Sequence, residues 1–211
     1  MALTAKDKGG GKDFKPVPQG LHTAICYAVF DLGTHYNERF NNDRHEVVIV
    51  WEMPNQRIEI EKDSQRLDLP RAISKRYTLS LHIKANLRQE LESWRGKKFT
   101  KKELEGFNLE NLLGVNCQLN VIHNDSSDGQ KTYANVSAVV PPPSGIKLKP
   151  ENPLVSFSFE DWPTKGIPVG TPEWIQDIIK RSQEWTGQIT PSADDVPIDD
   201  HVPPEEDDIP F

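Results

Sequence analysis

Ten cations fall within residues 71–102, RAISKRYTLSLHIKANLRQELESWRGKKFTKK: Arg71, Lys75, Arg76, Lys84, Arg88, Arg95, Lys97, Lys98, Lys101 and Lys102. Only two acids, Glu90 and Glu92, lie among them, so the stretch carries a local charge of +8. That is the footprint a polyanion needs, because each phosphate neutralised by a cation releases condensed counterions. The opposite chemistry fills residues 194–211, where eight acids (Asp194, Asp195, Asp199, Asp200, Glu205, Glu206, Asp207, Asp208) stand with no Lys or Arg. The whole chain is at −7, but without this segment 25 bases face 24 acids, so the acidity belongs to the tail.

Holding a single-stranded polyanion also takes aromatic faces, each stacked base contributing about 1–3 kcal/mol. Tyr36 and Phe40 lie in the polar run GTHYNERFNNDR, and Phe99 lies inside RGKKFTKK; a ligand would explain aromatics in such settings. Trp51 shares strand parity with Val47, Ile49 and Met53 and stands open between core and ligand face. Tyr133 shares its face with Asn135 and Ser137, two residues after Lys131, and is the best strand-borne stacking candidate. Tyr77 goes with Leu79 and Leu81 and is read as core. The candidate DNA-binding set is therefore Tyr36, Phe40, Trp51, Lys75, Arg76, Lys84, Arg88, Arg95, Lys97, Lys98, Phe99, Lys101, Lys102, Lys131 and Tyr133.

Catalysis finds no comparable support. The six histidines are scattered, and no nucleophile stands with a base, so no catalytic site is assigned and no enzyme is expected. KGGGKD near the start lacks the G-x-x-x-x-G-K-[ST] spacing of a phosphate loop. Cys26 and Cys117 are far apart, form no C-x-x-C pair and have too few histidines nearby for a metal; they are expected to be buried free thiols. Neither cofactor nor metal is expected. No apolar run approaches the ~18–20 residues of a membrane span, and MALTAKDKGGGKDFK lacks the apolar centre of a secretory signal. A soluble, intracellular protein is expected, with no membrane partner.

Alternating patterns must position these residues. GLHTAICYAVFDLG, EVVIVWEM and KRYTLSL read as three strands joined by polar loops over 33–44 and 54–71. KANLRQELESW reads as a helix, with Leu87, Leu91 and Trp94 on one stripe and Gly96 as its stop. LLGVNCQLNVIH places Val115, Cys117, Leu119 and Val121 on one face; KTYANVSAVV does the same for Ala134, Val136, Ala138 and Val140. Three strands, a helix and two strands is the layout of a mainly-β, five-stranded OB-fold barrel with its helix between strands 3 and 4. The chain then divides into a flexible leader (1–17), the nucleic-acid-binding barrel (18–145), an extension (146–185) and a linker with acidic tail (186–211). In the extension, TPEWIQDIIKRSQEW predicts one helix capped by Thr171, its stripe of Trp174, Ile175, Ile178 and Ile179 packing back on the barrel or meeting a partner.

The ending DDVPIDDHVPPEEDDIPF resembles the acidic tip of bacterial and phage single-stranded-DNA-binding proteins, which follows an OB-fold. The resemblance implies a protein that coats single-stranded DNA in replication, recombination and repair. It also implies that Asp207, Asp208, Ile209, Pro210 and Phe211 dock on replication and recombination proteins, the apolar residues in a pocket and the acids on a basic rim. It places the protein in the cytoplasm of a bacterial cell or phage-infected host. The short TGQITPSA in place of a long Gly/Gln-rich linker points to a phage or divergent member, and a homo-oligomer is left open. An OB-fold adaptor or recombination mediator with weak DNA affinity, or the accessory subunit of a nucleic-acid enzyme, is the alternative.

Overall fold

The computed structural model describes residues 16–62, 65–126 and 129–187. The tail residues Asp207 to Phe211 and most of the leader lie outside them. The described chain is mainly β. Strands β1 (Gly20–Asn37), β2 (Asn42–Lys62), β3 (Gln65–Thr78), β4 (Asn116–Asp125) and β5 (Thr132–Val140) form one antiparallel sheet in the order β3-β2-β1-β4-β5. The sheet is curled, and its two ends, β3 and β5, approach each other.

Helix α1 (Asn86–Arg95) follows β3 and packs on β5 and β3. Its Leu87, Leu91 and Trp94 are buried, and Gly96 ends it in the left-handed region at φ 64°, as the apolar stripe and the glycine require. A second, shorter helix, α2 (Lys101–Glu105), starts on a capping box between Thr100 and Glu103. These elements enclose an inner cluster that includes Cys26, Val29, Val47, Ile49, Trp51, Met53, Tyr77, Leu119 and Val136. Cys26 and Cys117 are free and buried there; burial pushes the Cys26 thiol up to about 12 and raises that of Cys117. Val17, read as leader, is also part of this cluster.

Apart from the turn at 38–41, the described residues of both stretches read as polar loops are strand instead. From Thr34↔His45 to Asn37↔Asn42 the chain pairs as a hairpin, closed by the turn 38–41 with Asn41 at φ 51°. Asn tolerates that left-handed conformation, which is how a polar run sustains a tight turn. From Arg57↔Pro70 to Lys62↔Gln65, β2 and β3 continue as a two-stranded arm, with Ile58 opposite Leu69, Ile60 opposite Leu67 and Arg57 bridged to Asp68 at 3.0 Å. The period-two signal was in the letters (RIEIE, RLDL), hidden by their charges. Where β4 pairs with β5, a register shift between Asn120 and Val121 moves the inward positions, so Val139 is buried in place of Ala138 and Val140.

The extension covers the outer face of β1 and β2. Strand β6 (Val155–Phe157) pairs in parallel with β1, and helices α3 (Trp162–Lys165), α4 (Glu173–Ile179) and α5 (Gln183–Thr186) follow. The predicted single helix is thus two: Pro172 occupies the cap of α4, Thr171 donates instead to the Pro168 carbonyl at 2.8 Å, and Ser182 caps a new start. Ile175 and Ile179 are fully buried with Ala28, Phe30, Leu32, Val48, Val50, Phe157 and Phe159, whereas Trp174 is exposed. Under this cover Glu52 is completely buried, accepting from the Glu151 and Asn152 amides (2.6 and 3.0 Å) and the Asn152 side chain (2.5 Å). Among the described residues no helix is long and apolar enough to cross a membrane.

Candidate nucleic-acid interface

The cations of the basic stretch divide into two kinds. Four are neutralised in place: Lys75 by Glu90 (2.8 Å), Arg88 by Glu92 (3.0 Å), Arg76 by Glu46 and Arg95 by Glu103. The Phe99 amide donates to Glu92 and, with Arg88, holds its carboxyl below the usual range. The Thr100 amide, aided by its hydroxyl and Arg95, holds Glu103 down to about 2. Both acids therefore remain ionised and keep their arginines occupied. Arg71 donates to the Arg57 carbonyl at 3.3 Å. By contrast Lys84, Lys97, Lys98, Lys101, Lys102 and Lys131 are exposed and, among the described residues, make no salt bridge. Five of them lie in or beside the β3–α1 and α1–α2 connections, Lys84 before α1 and the other four after it, as hydrated cations that phosphates can reach.

The aromatics divide as sharply. Trp51 has no exposed surface; it packs 6.0 Å from Trp94 inside the curled sheet, so no base can stack on it. Phe99 is likewise buried, edge-on to Phe107 at 5.2 Å, with the Arg95 guanidinium 4.4 Å above its ring. Its neighbours Lys97, Lys98 and Thr100 are exposed while its own ring turns inward. These two expectations are corrected by burial. Tyr77 is core, as read, its hydroxyl donating to Glu90 at 2.7 Å.

Tyr36, Phe40 and Tyr133 stay at the surface. Tyr36 is 56% exposed, opposite Asp43 near the end of the β1–β2 hairpin, its hydroxyl bonded to Asn41. Phe40 is half-buried in the turn, its ring under Arg44 at 4.5 Å and Arg39 at 5.3 Å. An aromatic face beside two guanidinium planes offers stacking and charge at one place. Sequence reasoning passed over Arg39 and Arg44, although one adjoins Phe40 and the other lies four residues on; only the tight turn brings them to the same ring. Tyr133 is half-buried opposite Asn124, on the polar face where Asn120 and Ser137 bond each other at 2.8 Å.

Nothing in the described residues gathers three or more metal-ligating side chains. No family model, curated protein or solved structure matches this chain.

Proposed function

We propose that this chain is an OB-fold protein that binds single-stranded DNA without sequence preference, coating it in replication, recombination or repair. The observation that carries this is the set of exposed lysines in and beside the β3–α1 and α1–α2 connections. Among the described residues they make no salt bridge, while the other cations of the stretch are tied to carboxylates or the backbone. The strand order β3-β2-β1-β4-β5, with its two ends close together, is that of an OB barrel and supports the same reading. Stacking on Tyr36, Phe40 and Tyr133 supplies base contacts that any sequence satisfies. The tail, through Asp207 to Phe211, recruits replication and recombination proteins.

Fluorescence titration of the full chain with oligo(dT), oligo(rU) and duplex DNA at several salt concentrations tests the reading. Tight, salt-sensitive binding to oligo(dT) and weak duplex binding are expected. Replacing Lys97, Lys98, Lys101 and Lys102 by Ala should reduce the logarithmic salt slope by up to ~3, at ~0.7 for each phosphate that is no longer neutralised. Wild-type protein that leaves oligo(dT) unbound defeats the proposal.

The arm favours a second reading, an adaptor whose main contacts are with protein. Ile58, Ile60, Leu67 and Leu69 share one of its faces, with Leu69 38% exposed, and that apolar face is of no use to phosphates.

A further inference from the structure

The extension grips the hairpin that carries the exposed aromatics. Glu184 of α5 is buried, and its Oε2 accepts from the Thr34 amide at 2.7 Å while its Oε1 accepts from the Thr34 hydroxyl at 2.6 Å. Thr34 is paired with His45, whose Nδ1 lies 3.7 Å from the same carboxylate and whose Nε2 lies 2.6 Å from Asp31. One carboxylate therefore binds both strands of the hairpin at one rung. Two rungs further out, Gln183 donates to Asp43 at 2.6 Å, and Asp43 is the partner of Tyr36. Space for this grip exists because residue 33 is glycine: a Cβ there would lie 2.5 Å from Ser182 Cβ, 2.6 Å from Glu184 Oε2 and 2.8 Å from Phe159.

A β-hairpin projecting from a sheet twists and bends easily at its base, and the turn 38–41 lies beyond the last rung that the sheet's other strands support. Strand β6 reaches only Phe30, β4 only Ile25 and β3 only Glu46, with the Leu79 amide just past β3 donating to the His45 carbonyl at 2.7 Å. Beyond the Thr34–His45 rung, α5 is the element that fixes the hairpin's direction. We infer that Glu184 and Gln183 are positioning residues for nucleic-acid binding, the extension acting as a clamp that holds Tyr36, Phe40, Arg39 and Arg44 in the attitude a single strand requires. This rests on the reading of the chain as a single-strand binder and adds which part of the molecule orients its base contacts.

The test compares Glu184→Gln and Gln183→Ala with wild type, all as full chains. Two probes are used: oligo(dT), and an abasic strand of equal length that offers phosphates without bases. Exchange of the Thr34 amide reports the clamp itself. Glu184→Gln is expected to speed Thr34 exchange and weaken oligo(dT) binding about tenfold, the contribution of roughly one stacked base. Its affinity for the abasic strand should stay within about twofold of wild type, which general destabilisation would not achieve. Gln183→Ala removes only a surface hydrogen bond and keeps the variant folded; about a twofold loss on oligo(dT) alone is expected. The inference is overturned if Thr34 exchange does not change in Glu184→Gln, if both probes weaken equally, or if oligo(dT) affinity is unaltered although the amide has been freed. Wild-type protein that binds neither probe removes the reading and the clamp's purpose together, an outcome distinct from normal binding by all three proteins.

Discussion

Strands β1 and β2 are buried on both faces, and the two faces are held by different physics. The inner face packs Cys26, Val29, Val47, Ile49, Trp51 and Met53 against α1 and the rest of the curled sheet, through apolar contact. The outer face packs Ala28, Phe30, Val48 and Val50 against the extension, but two buried carboxylates fasten it as well: Glu52 to the chain at 151–152, and Glu184 to the hairpin. Apolar burial is non-directional and tolerates sliding, whereas a buried carboxylate must meet its donors or lose free energy. The inner face thus makes a fold, and the outer face fixes where one particular segment lies on it.

Trp51→Ala should separate the two most. Deleting the largest fully buried side chain is expected to cost about 4 kcal/mol, against about 3 kcal/mol for Ile175→Ala on the outer face. Indole N–H resonances check the difference in kind. Trp51 and Trp94 report the inner cluster; Trp162 and Trp185, 5.0 Å apart, report the outer. Ile175→Ala should broaden the second pair and leave the first, while Trp51→Ala, which removes its own resonance, disturbs Trp94 and the second pair. Ile175→Ala that broadens Trp51 and Trp94 as much as Trp162 and Trp185 would mean that the faces are one cooperative unit.

Gly33→Ala attacks the outer face through the backbone. At φ +76° an added Cβ is strained, and it would meet Ser182, Glu184 and Phe159 within 2.8 Å. A loss of about 3 kcal/mol in denaturant unfolding is expected, from left-handed strain together with overpacking. Glu52→Gln should cost about 2 kcal/mol, because an amide presents a donor to a site built from three donors; a thermal melt showing no loss would mean that segment 151–152 rearranges around it.

These differences also explain what could be read from the letters. The core of β1, β2 and α1 was legible because hydrophobic periodicity survives without tertiary context: Leu87, Leu91 and Trp94 recur at helical spacing and are buried. The basic stretch was legible as a charge count, but which cations remain available depends on where Glu46, Glu90 and Glu103 arrive in space, and those partners come from other strands, helices and turns. Trp51 could not be placed by parity, since β2 is apolar on both faces once the extension covers its outside. Phe99 misled because its exposed charged neighbours flank a ring that turns inward onto Phe107 and Arg95. Neither Glu52 nor Glu184 drew notice, as a buried carboxylate has no local signature until its donors, about a hundred or more residues away, are in position.

The smallest effect is the most specific to the outer face. Burial opposes charge on His45, but its hydrogen bond to Asp31 and the charges of Asp31, Glu184 and Glu46 outweigh it, so its pKa is raised above 6.5. The charged groups acting on it are Asp31 from β1, Glu184 from α5 and its own neighbour Glu46. A raised folded-state pKa means that the folded protein binds the proton more tightly than the unfolded chain. The stability this provides is fully present below pH 6.5 and is lost as pH rises through the folded-state value. In wild type the unfolding free energy should therefore fall over that window, and the Thr34 amide should exchange faster at the alkaline end than its intrinsic pH dependence predicts. His45→Gln should abolish both trends while leaving the inner-cluster indole resonances in place. If wild type and His45→Gln follow the same pH curve, the charge on His45 contributes nothing to the clamp, and the hydrogen bonds from Thr34 to Glu184 hold the outer face without it.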